Sequence, residues 1–252
     1  MRLRKASPGM VCFLTLFVLI GISLSATPKQ EKPSYTPTGS EATLAGTIAF
    51  AGKVPKPRRI DTSADPICAT VNPDPTTDSV VVTDRKLANV VVYVRGGSLN
   101  SYSFEAPTSD ITLEHKGCRY VPHVLGMQIQ QTLKILNSDP TIHNTHPTPK
   151  NNVEWNQSQP PGAAIERRFS HAEAFIPMKD NQHPWEKAYV GVFSHPFFSV
   201  SSMDGSYRIS GLPPGQYTVV AWHESLGEQT TEVFLAGSEY RELNFEFKAP
   251  DH

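Results

Sequence analysis

ILNSDPTIHNTH, residues 135–146, ends an apolar run in an Asn-Xaa-Asp turn and then places two histidines three residues apart. Farther along, residues 178–193 read MKDNQHPWEKAYVGVF, with a third histidine in a polar turn before another apolar run. Turns of Asn, Asp and Pro between β-branched runs are typical of strands joined by short loops. Both stretches therefore predict strand–turn–strand structure around the histidines.

The rest of the chain repeats this pattern. Short β-branched and aromatic runs recur between turn residues, and several of them alternate apolar and polar side chains with period two. The clearest runs are residues 43–50, 79–83, 89–94, 132–136, 188–193, 206–209, 217–222 and 231–235. The predicted fold class is all-β, an antiparallel β-sandwich.

The composition indicates a globular protein without a strong charge bias. Of 252 residues, 38% are hydrophobic, and 23 Lys+Arg stand against 24 Asp+Glu for a formal net charge of −1. This balance lacks the basic footprint of a nucleic-acid binder, so we expect no nucleic-acid partner. After residue 26 no apolar run approaches the roughly 18 residues of a membrane helix, so no membrane span is expected in the mature chain.

The N-terminus has the pattern of a secretory signal peptide. Arg2, Arg4 and Lys5 precede the apolar run 10–24, which ends in small residues. This order of charged head, apolar middle and small exit predicts that residues 1–26 are removed on export. Residues 27–41, rich in Pro and Thr, then form a flexible linker. The protein is expected to be exported, periplasmic or extracellular; an uncleaved anchor is the alternative.

Cysteine usage fits an exported protein. Cys12 lies within the signal peptide, which leaves Cys68 and Cys118 in the mature chain. Two cysteines in an oxidising compartment predict a disulfide. Closing a loop of about 50 residues would stabilise the fold by roughly 4 kcal/mol in the chain-entropy model. Free or metal-bound thiols are the alternative.

The order and spacing of the HNTH and HPW stretches resemble those of cupredoxins, the small Greek-key β-sandwiches of blue-copper proteins. In that family one histidine follows an Asn-Xaa-Asp turn, and a later loop supplies Cys, His and Met. The resemblance implies a cupredoxin-like domain at residues 109–195, with His143 and His183 on the two histidine positions.

A second stretch, DGSYRISGLPPGQYTVVAW at residues 204–222, resembles the second half of carboxypeptidase regulatory-like (transthyretin-like) β-sandwich modules. Residues 44–50 and 87–94 resemble the first half of such a module. The two resemblances together imply that residues 42–108 and 196–248 form a regulatory-like sandwich, with the cupredoxin-like domain inserted in it. Two domains in tandem are the alternative.

The chain departs from the cupredoxin pattern at the ligand positions. Asp180 stands at the Cys position and Glu186 at the Met position. A blue-copper centre needs the thiolate, so electron transfer of that type is not expected. Two imidazoles with carboxylates instead predict a mixed site for Zn, Cu(II), Mn or Fe(II), formed by His143, His183, Asp180 and Glu186, with His146 added if its segment turns. The alternative is a relic site in which the histidines only form local hydrogen bonds.

These features predict an exported, non-enzymatic cupredoxin-like binding protein with an altered or degenerate metal site. The sequence has neither the Gly-Xaa-Ser-Xaa-Gly elbow of hydrolases nor the His-Glu-Xaa-Xaa-His helix of metalloproteases. The alternative function is a carbohydrate-binding or cell-envelope adhesion module, in which Trp155 and Trp222 would form an aromatic platform. Its partner would be a glycan or an envelope protein. A mononuclear metalloenzyme using two His and a carboxylate is a third possibility.

Overall fold

The computed structural model describes residues 31–249, which form short β-strands with little helix. The strands are β1 (Ala42–Ala51), β2 (Val82–Thr83), β3 (Lys86–Leu87), β4 (Val91–Arg95), β5 (Ile111–His115), β6 (Tyr120–Val121), β7 (Val124–Gln128), β8 (Leu133–Asn137), β9 (His143–Pro147), β10 (Gln157–Gln159), β11 (Ala164–Arg167), β12 (Glu173–Lys179), β13 (Lys187–Phe193), β14 (Phe198–Val200), β15 (Ser206–Leu212), β16 (Gly215–His223), β17 (Gly227–Leu235), β18 (Tyr240–Glu242) and β19 (Phe245–Lys248). The helical elements are α1 (Pro66–Val71) and a 3-10 turn, Gly97–Ser101.

The strands form four sheets. Two of them enclose a first hydrophobic core: a six-stranded sheet in the order β15-β1-β3-β2, with β18 and β19 paired to β1, and a four-stranded sheet β14-β4-β16-β17. The buried residues of this core come from the stretches 42–99 and 197–247. β15 shows the cause, because its side chains alternate between buried and exposed along the strand.

The other two sheets enclose a second core. They are a five-stranded sheet, β10-β9-β12-β13-β7, and a four-stranded sheet, β11-β8-β5-β6. All buried residues of this core lie between Leu113 and Val192. β8 contributes Leu133 and Ile135 inward while the residues between them are only half-buried, which is the period-two pattern of a strand with one face in the core.

A third apolar cluster joins the two pairs of sheets. β4 is buried on both faces, since Val92 and Val94 enter the first core while Val91 and Tyr93 enter this cluster. Phe175 of the five-stranded sheet stacks on Trp222 of β16, with ring centroids 3.5 Å apart. The uninterrupted Val run of β4 is the expected sequence of a strand covered on both sides. The four sheets are therefore stacked through three apolar layers.

The predicted all-β sandwich fold class is confirmed, with one correction to the strand directions. β5 and β8, β7 and β13, and β1 with both β18 and β19 pair in parallel, so the sheets are mixed and not wholly antiparallel. Parallel neighbours cannot be joined by a two-residue hairpin, and each of these pairs is connected through intervening strands. Local alternation predicts a strand but carries no information on which remote strand lies beside it.

The predicted signal peptide lies outside the described residues. Of the predicted linker, residues 32–41 contact the rest of the chain: the Tyr35 amide donates to the Ser103 carbonyl at 2.9 Å, and the Tyr35 ring packs against Tyr102 and Phe104. This part of the segment is therefore docked and not a free spacer, because a single aromatic residue gives it something to bury. Within residues 31–249, no helix has the length and apolarity required to cross a membrane.

Candidate metal centre

The structure brings together four of the residues predicted as ligands. β12 pairs with β9 through Met178 and Lys179, which places the β12–β13 turn beside the start of β9. Asp180 shapes this turn: its Oδ1 accepts the His183 amide at 2.9 Å and its Oδ2 accepts the Asn144 amide at 3.0 Å. The side chains that meet here are those of His143, Asp180, His183 and Glu186, all 0–4% exposed.

The four ligand atoms are spaced like the corners of a small tetrahedron. His143 Nδ1 lies 2.9 Å from His183 Nδ1, 3.0 Å from Asp180 Oδ2 and 3.0 Å from Glu186 Oε1. His183 Nδ1 lies 3.3 Å from the same oxygen of Asp180 and 3.7 Å from that of Glu186. A tetrahedral ion with bonds of 2.0–2.2 Å separates its ligands by about 3.4 Å. The observed distances lie on both sides of that value, so the donor set fits a tetrahedral divalent ion.

Glu186 presents a carboxylate oxygen to this point without a hydrogen bond. Its Oε2 is hydrogen-bonded to His115 Nδ1 at 2.9 Å, whereas Oε1 is the one buried side-chain N or O atom of residues 31–249 that has no hydrogen-bond partner. An uncompensated buried carboxylate oxygen costs free energy, and a bound cation would remove that cost.

His115 was missed as a site residue, because its position near predicted strand ends favoured the surface. It is fully buried, and its Nε2 lies 3.0 Å from the hydroxyl of Thr145. A signal was present, since the alternation along β5 puts His115 on the same inward face as Leu113. Its contact with Oε2 fixes the side chain of Glu186, so that Oε1 points towards His143 and His183.

Two further carboxylates hold the outer nitrogens of the imidazoles. His143 Nε2 donates to Asp139 Oδ2 at 3.1 Å, and His183 Nε2 donates to Asp65 Oδ2 at 3.0 Å. Carboxylates in this position fix the tautomer and leave the opposite ring nitrogen free for a metal. Asp139 belongs to the Asn-Xaa-Asp turn already noted in the sequence. Asp65 follows no comparable signal, because it lies 78 residues before His143 in an irregular segment.

The cluster favours positive charge at its centre. Burial alone would lower the pKa of His143, but its hydrogen bonds, first to Asp139 and then to Asp180, outweigh burial and raise the pKa to about 11. Burial alone would raise the pKa of Asp180, yet hydrogen bonds from His143 and His183 hold it far below its usual range. Burial likewise opposes ionisation of Asp65, but its hydrogen bond from His183 contributes to a pKa of about 2. A proton or a metal ion can meet this demand.

A disulfide fastens the outer carboxylates. Cys68 and Cys118 are bonded, as the cysteine count predicts. Asp65 caps α1 and accepts the Cys68 amide at 3.3 Å, while Asp139 accepts the Cys118 amide at 2.8 Å. Residues 58–78, here called the covering loop, carry Asp65 and Cys68 across the histidines. The disulfide thus joins the two segments that hold Nε2 of His143 and of His183.

His146 is not brought to the cluster. β9 is extended at this point, so residues three apart face opposite sides of the strand. His146 Nε2 lies 2.8 Å from Glu154 Oε1 and its Nδ1 3.1 Å from Asn181 Oδ1. The prediction that His146 adds a ligand required a turn here, and the strand excludes that geometry.

Comparison with known proteins gives only partial likenesses. No family model matches the chain, and no curated protein matches it. Among solved structures, the Cu-containing nitrite reductase from Thermus scotoductus has 16% identity over 34% of this chain and 22% of its own, with a TM-score of 0.32. Amicyanin from Paracoccus versutus has 16% identity over 35% and 85%, with a TM-score of 0.31. A purple cupredoxin from Nitrosopumilus maritimus has 20% identity over 33% and 99%, with a TM-score of 0.29. The chain is thus similar to copper proteins over about a third of its length, and the regulatory-like module stays a prediction.

Proposed function

We propose that this protein binds one divalent transition-metal ion, Zn(II) in the first place, through His143 Nδ1, His183 Nδ1, Asp180 and Glu186. The spacing of these buried donors, 2.9–3.7 Å where both histidines are concerned, supports the proposal most directly. Two imidazoles and two carboxylates suit Zn(II), which has no geometric preference of its own and accepts N and O donors in a tetrahedron.

The same donor set favours binding over catalysis. Catalytic zinc sites keep one position for water, whereas structural sites are closed by four protein ligands. Here four donors occupy the cluster and their side chains are 0–4% exposed, so water has no evident place on the ion. A blue-copper ion does not fit, because Asp180 and Glu186 supply hard oxygens where that centre requires a thiolate and a weak thioether. We therefore infer a non-enzymatic protein and not an electron carrier.

The proposed organisation is a metal-binding domain, residues 109–195, inserted into a second sandwich made of residues 42–108 and 196–248. Two separate cores support it, since one takes its buried residues from Leu113 to Val192 and the other from the two flanking stretches. We also propose that the protein is exported. The buried disulfide supports this, because disulfides persist in oxidising compartments.

Metal content tests the proposal. The purified chain should retain about one equivalent of Zn(II) after desalting, and His143→Ala or His183→Ala should lose it. His146→Ala is the matched control, because it removes an imidazole from the same strand without touching the cluster and should keep the metal. Metal-free wild type in zinc-containing buffer, or equal loss in His143→Ala and His146→Ala, would leave the relic interpretation as the better account.

A groove near Trp155 supports the alternative of glycan binding. Lys150, Asn152, Trp155, Arg167 and Arg168 line a cavity of about 520 Å³, and the Arg167 guanidinium lies 4.9 Å above the Trp155 ring. An aromatic face beside cations suits an acidic sugar polymer. Trp222 cannot take part in such a platform, because it is stacked on Phe175.

A pull-down with polygalacturonate tests this alternative. Trp155→Ala should abolish retention of the protein on the polymer. Tyr240→Ala, which removes another aromatic ring under an arginine, should leave retention unchanged. Absence of retention in the wild type would exclude an acidic polysaccharide of this kind as the ligand.

A further inference from the structure

The disulfide lies against the histidines on the side opposite the proposed zinc site. A ring nitrogen of His183, a carboxylate oxygen of Asp65 and the Cys68 sulfur all lie within 4.8 Å of one another. The same limit holds for His143, Asp139 and the Cys118 sulfur. Both sulfurs are buried, because Cys68 is 0% and Cys118 1% exposed. Two cysteines and two histidines therefore surround one small volume.

From this geometry we propose that reduction of the Cys68–Cys118 disulfide creates a thiolate metal site, with Cys68, Cys118, His143 and His183 as its ligands. A Cys2His2 set is a standard zinc donor set, and its thiolates also favour Cu(I). The proposal shares the two histidines with the proposed function but does not use Asp180 or Glu186. The protein would then take a hard divalent ion when oxidised and a softer ion when reduced.

The chemistry of the switch balances with a dithiol reductant. The reductant's two thiols become its own disulfide, and the two electrons and two protons go to the sulfurs of Cys68 and Cys118. Metal binding then releases the two thiol protons to solvent, since the thiolate is the ligand. Tetrahedral ligation with metal–sulfur bonds of 2.3 Å requires the two sulfurs to separate to about 3.8 Å. Rotation about the side-chain bonds of the two cysteines can supply this separation once the bond is broken.

The surrounding hydrogen bonds keep the reduced cysteines near the histidines. The Cys118 amide remains bonded to Asp139, and the Cys68 amide to Asp65. The covering loop has a further attachment, because the Asn72 side chain donates to the Gly117 carbonyl at 3.0 Å. These contacts do not depend on the sulfur–sulfur bond, so its loss leaves the two segments side by side.

Cobalt(II) is the probe, because thiolate ligation gives it a strong charge-transfer absorption that N/O ligation lacks. The experiment uses full-length Asp180→Asn, Glu186→Gln protein, in which the proposed zinc site is removed. After dithiol reduction and removal of the reductant, this variant should show the charge-transfer band with about one cobalt per chain, and cobalt should raise its Tm. Adding Cys68→Ser and Cys118→Ser to the same protein should abolish both effects.

The outcomes separate this inference from the proposed function. A reduced variant without the band, or one that circular dichroism shows to be unfolded with cobalt present, would overturn the thiolate site. Retention of the band after His143→Ala and His183→Ala would also overturn it, since it would mean that the thiols bind without the histidines. Oxidised wild type that binds no zinc would sink the proposed function, whereas a band in the reduced variant would still support the thiolate site.

Discussion

Asparagine at position 139 tests how far the outer carboxylates control the metal centre. Asp139 Oδ1 accepts the Gly117 amide at 2.7 Å, and its Oδ2 accepts the Cys118 amide at 2.8 Å and His143 Nε2 at 3.1 Å. Asparagine keeps the shape, but whichever way it is oriented its NH2 group faces an N–H donor. Leaving a buried donor unpaired costs about 1–3 kcal/mol of unfolding free energy. Loss of an orienting carboxylate typically lowers metal affinity 10–100-fold.

The matched control for Asp139→Asn is Asp74→Asn, the same chemical change on the covering loop. The Asp74 side chain is 79% exposed and pairs only with Arg59, so its loss should change stability by less than about 0.5 kcal/mol. Urea unfolding of the metal-free proteins gives the stability difference, and competition with a chromophoric chelator gives the zinc affinity. If Asp139→Asn matched Asp74→Asn in both measurements, the orienting role assigned to Asp139 would be refuted.

Three further predictions concern metal, pH and packing. Removing zinc with a chelator should lower the Tm, and restoring free zinc to 100 times its Kd should recover about 2.7 kcal/mol. Burial lowers the pKa of His195 and of His223 to about 4, so the unfolded chain binds more protons below pH 6.5 and stability should rise from pH 4 to 6.5, by up to about 3 kcal/mol for each histidine; urea unfolding across this range should show a flatter slope in the double His→Gln variant, and an unchanged slope would contradict the assignment. Trp222→Ala removes the stack that joins the sheets and should cost about 3 kcal/mol in urea unfolding, against less than about 0.5 kcal/mol for Phe234→Ala at a 65% exposed ring, and equal losses would contradict the packing account.

Local pattern predicted the strands well but not their partners. Alternation in 133–137 and 206–212 marks strands with one buried face, and both are strands in the structure. The Val run of β4 indicates burial on both faces, yet nothing in it names β7 and β13 as neighbours of one face. Pairing of β5 with β8 in parallel is likewise set by the packing of the whole sandwich.

The candidate site divides in the same way. The spacing of HNTH and HPW predicts that His143 and His183 lie together, and their Nδ1 atoms are 2.9 Å apart in the structure. Metal ligation itself stays a prediction. The acids that complete the cluster are harder to find from sequence, because Asp65 reaches His183 across 118 positions and no periodicity links such remote residues. His115 was recoverable from alternation alone.

Asp65 and Cys68 lie ahead of the stretch that carries all four proposed zinc ligands. A fragment of residues 109–195 produced alone would leave the His183 Nε2 atom facing bulk water and Cys118 without its covalent partner. The two sandwiches are therefore interdependent at the level of single atoms, although their cores are separate. Recombination that moved the inner sandwich into another host protein would have to rebuild the covering loop as well, so we expect the two parts to have been inherited together.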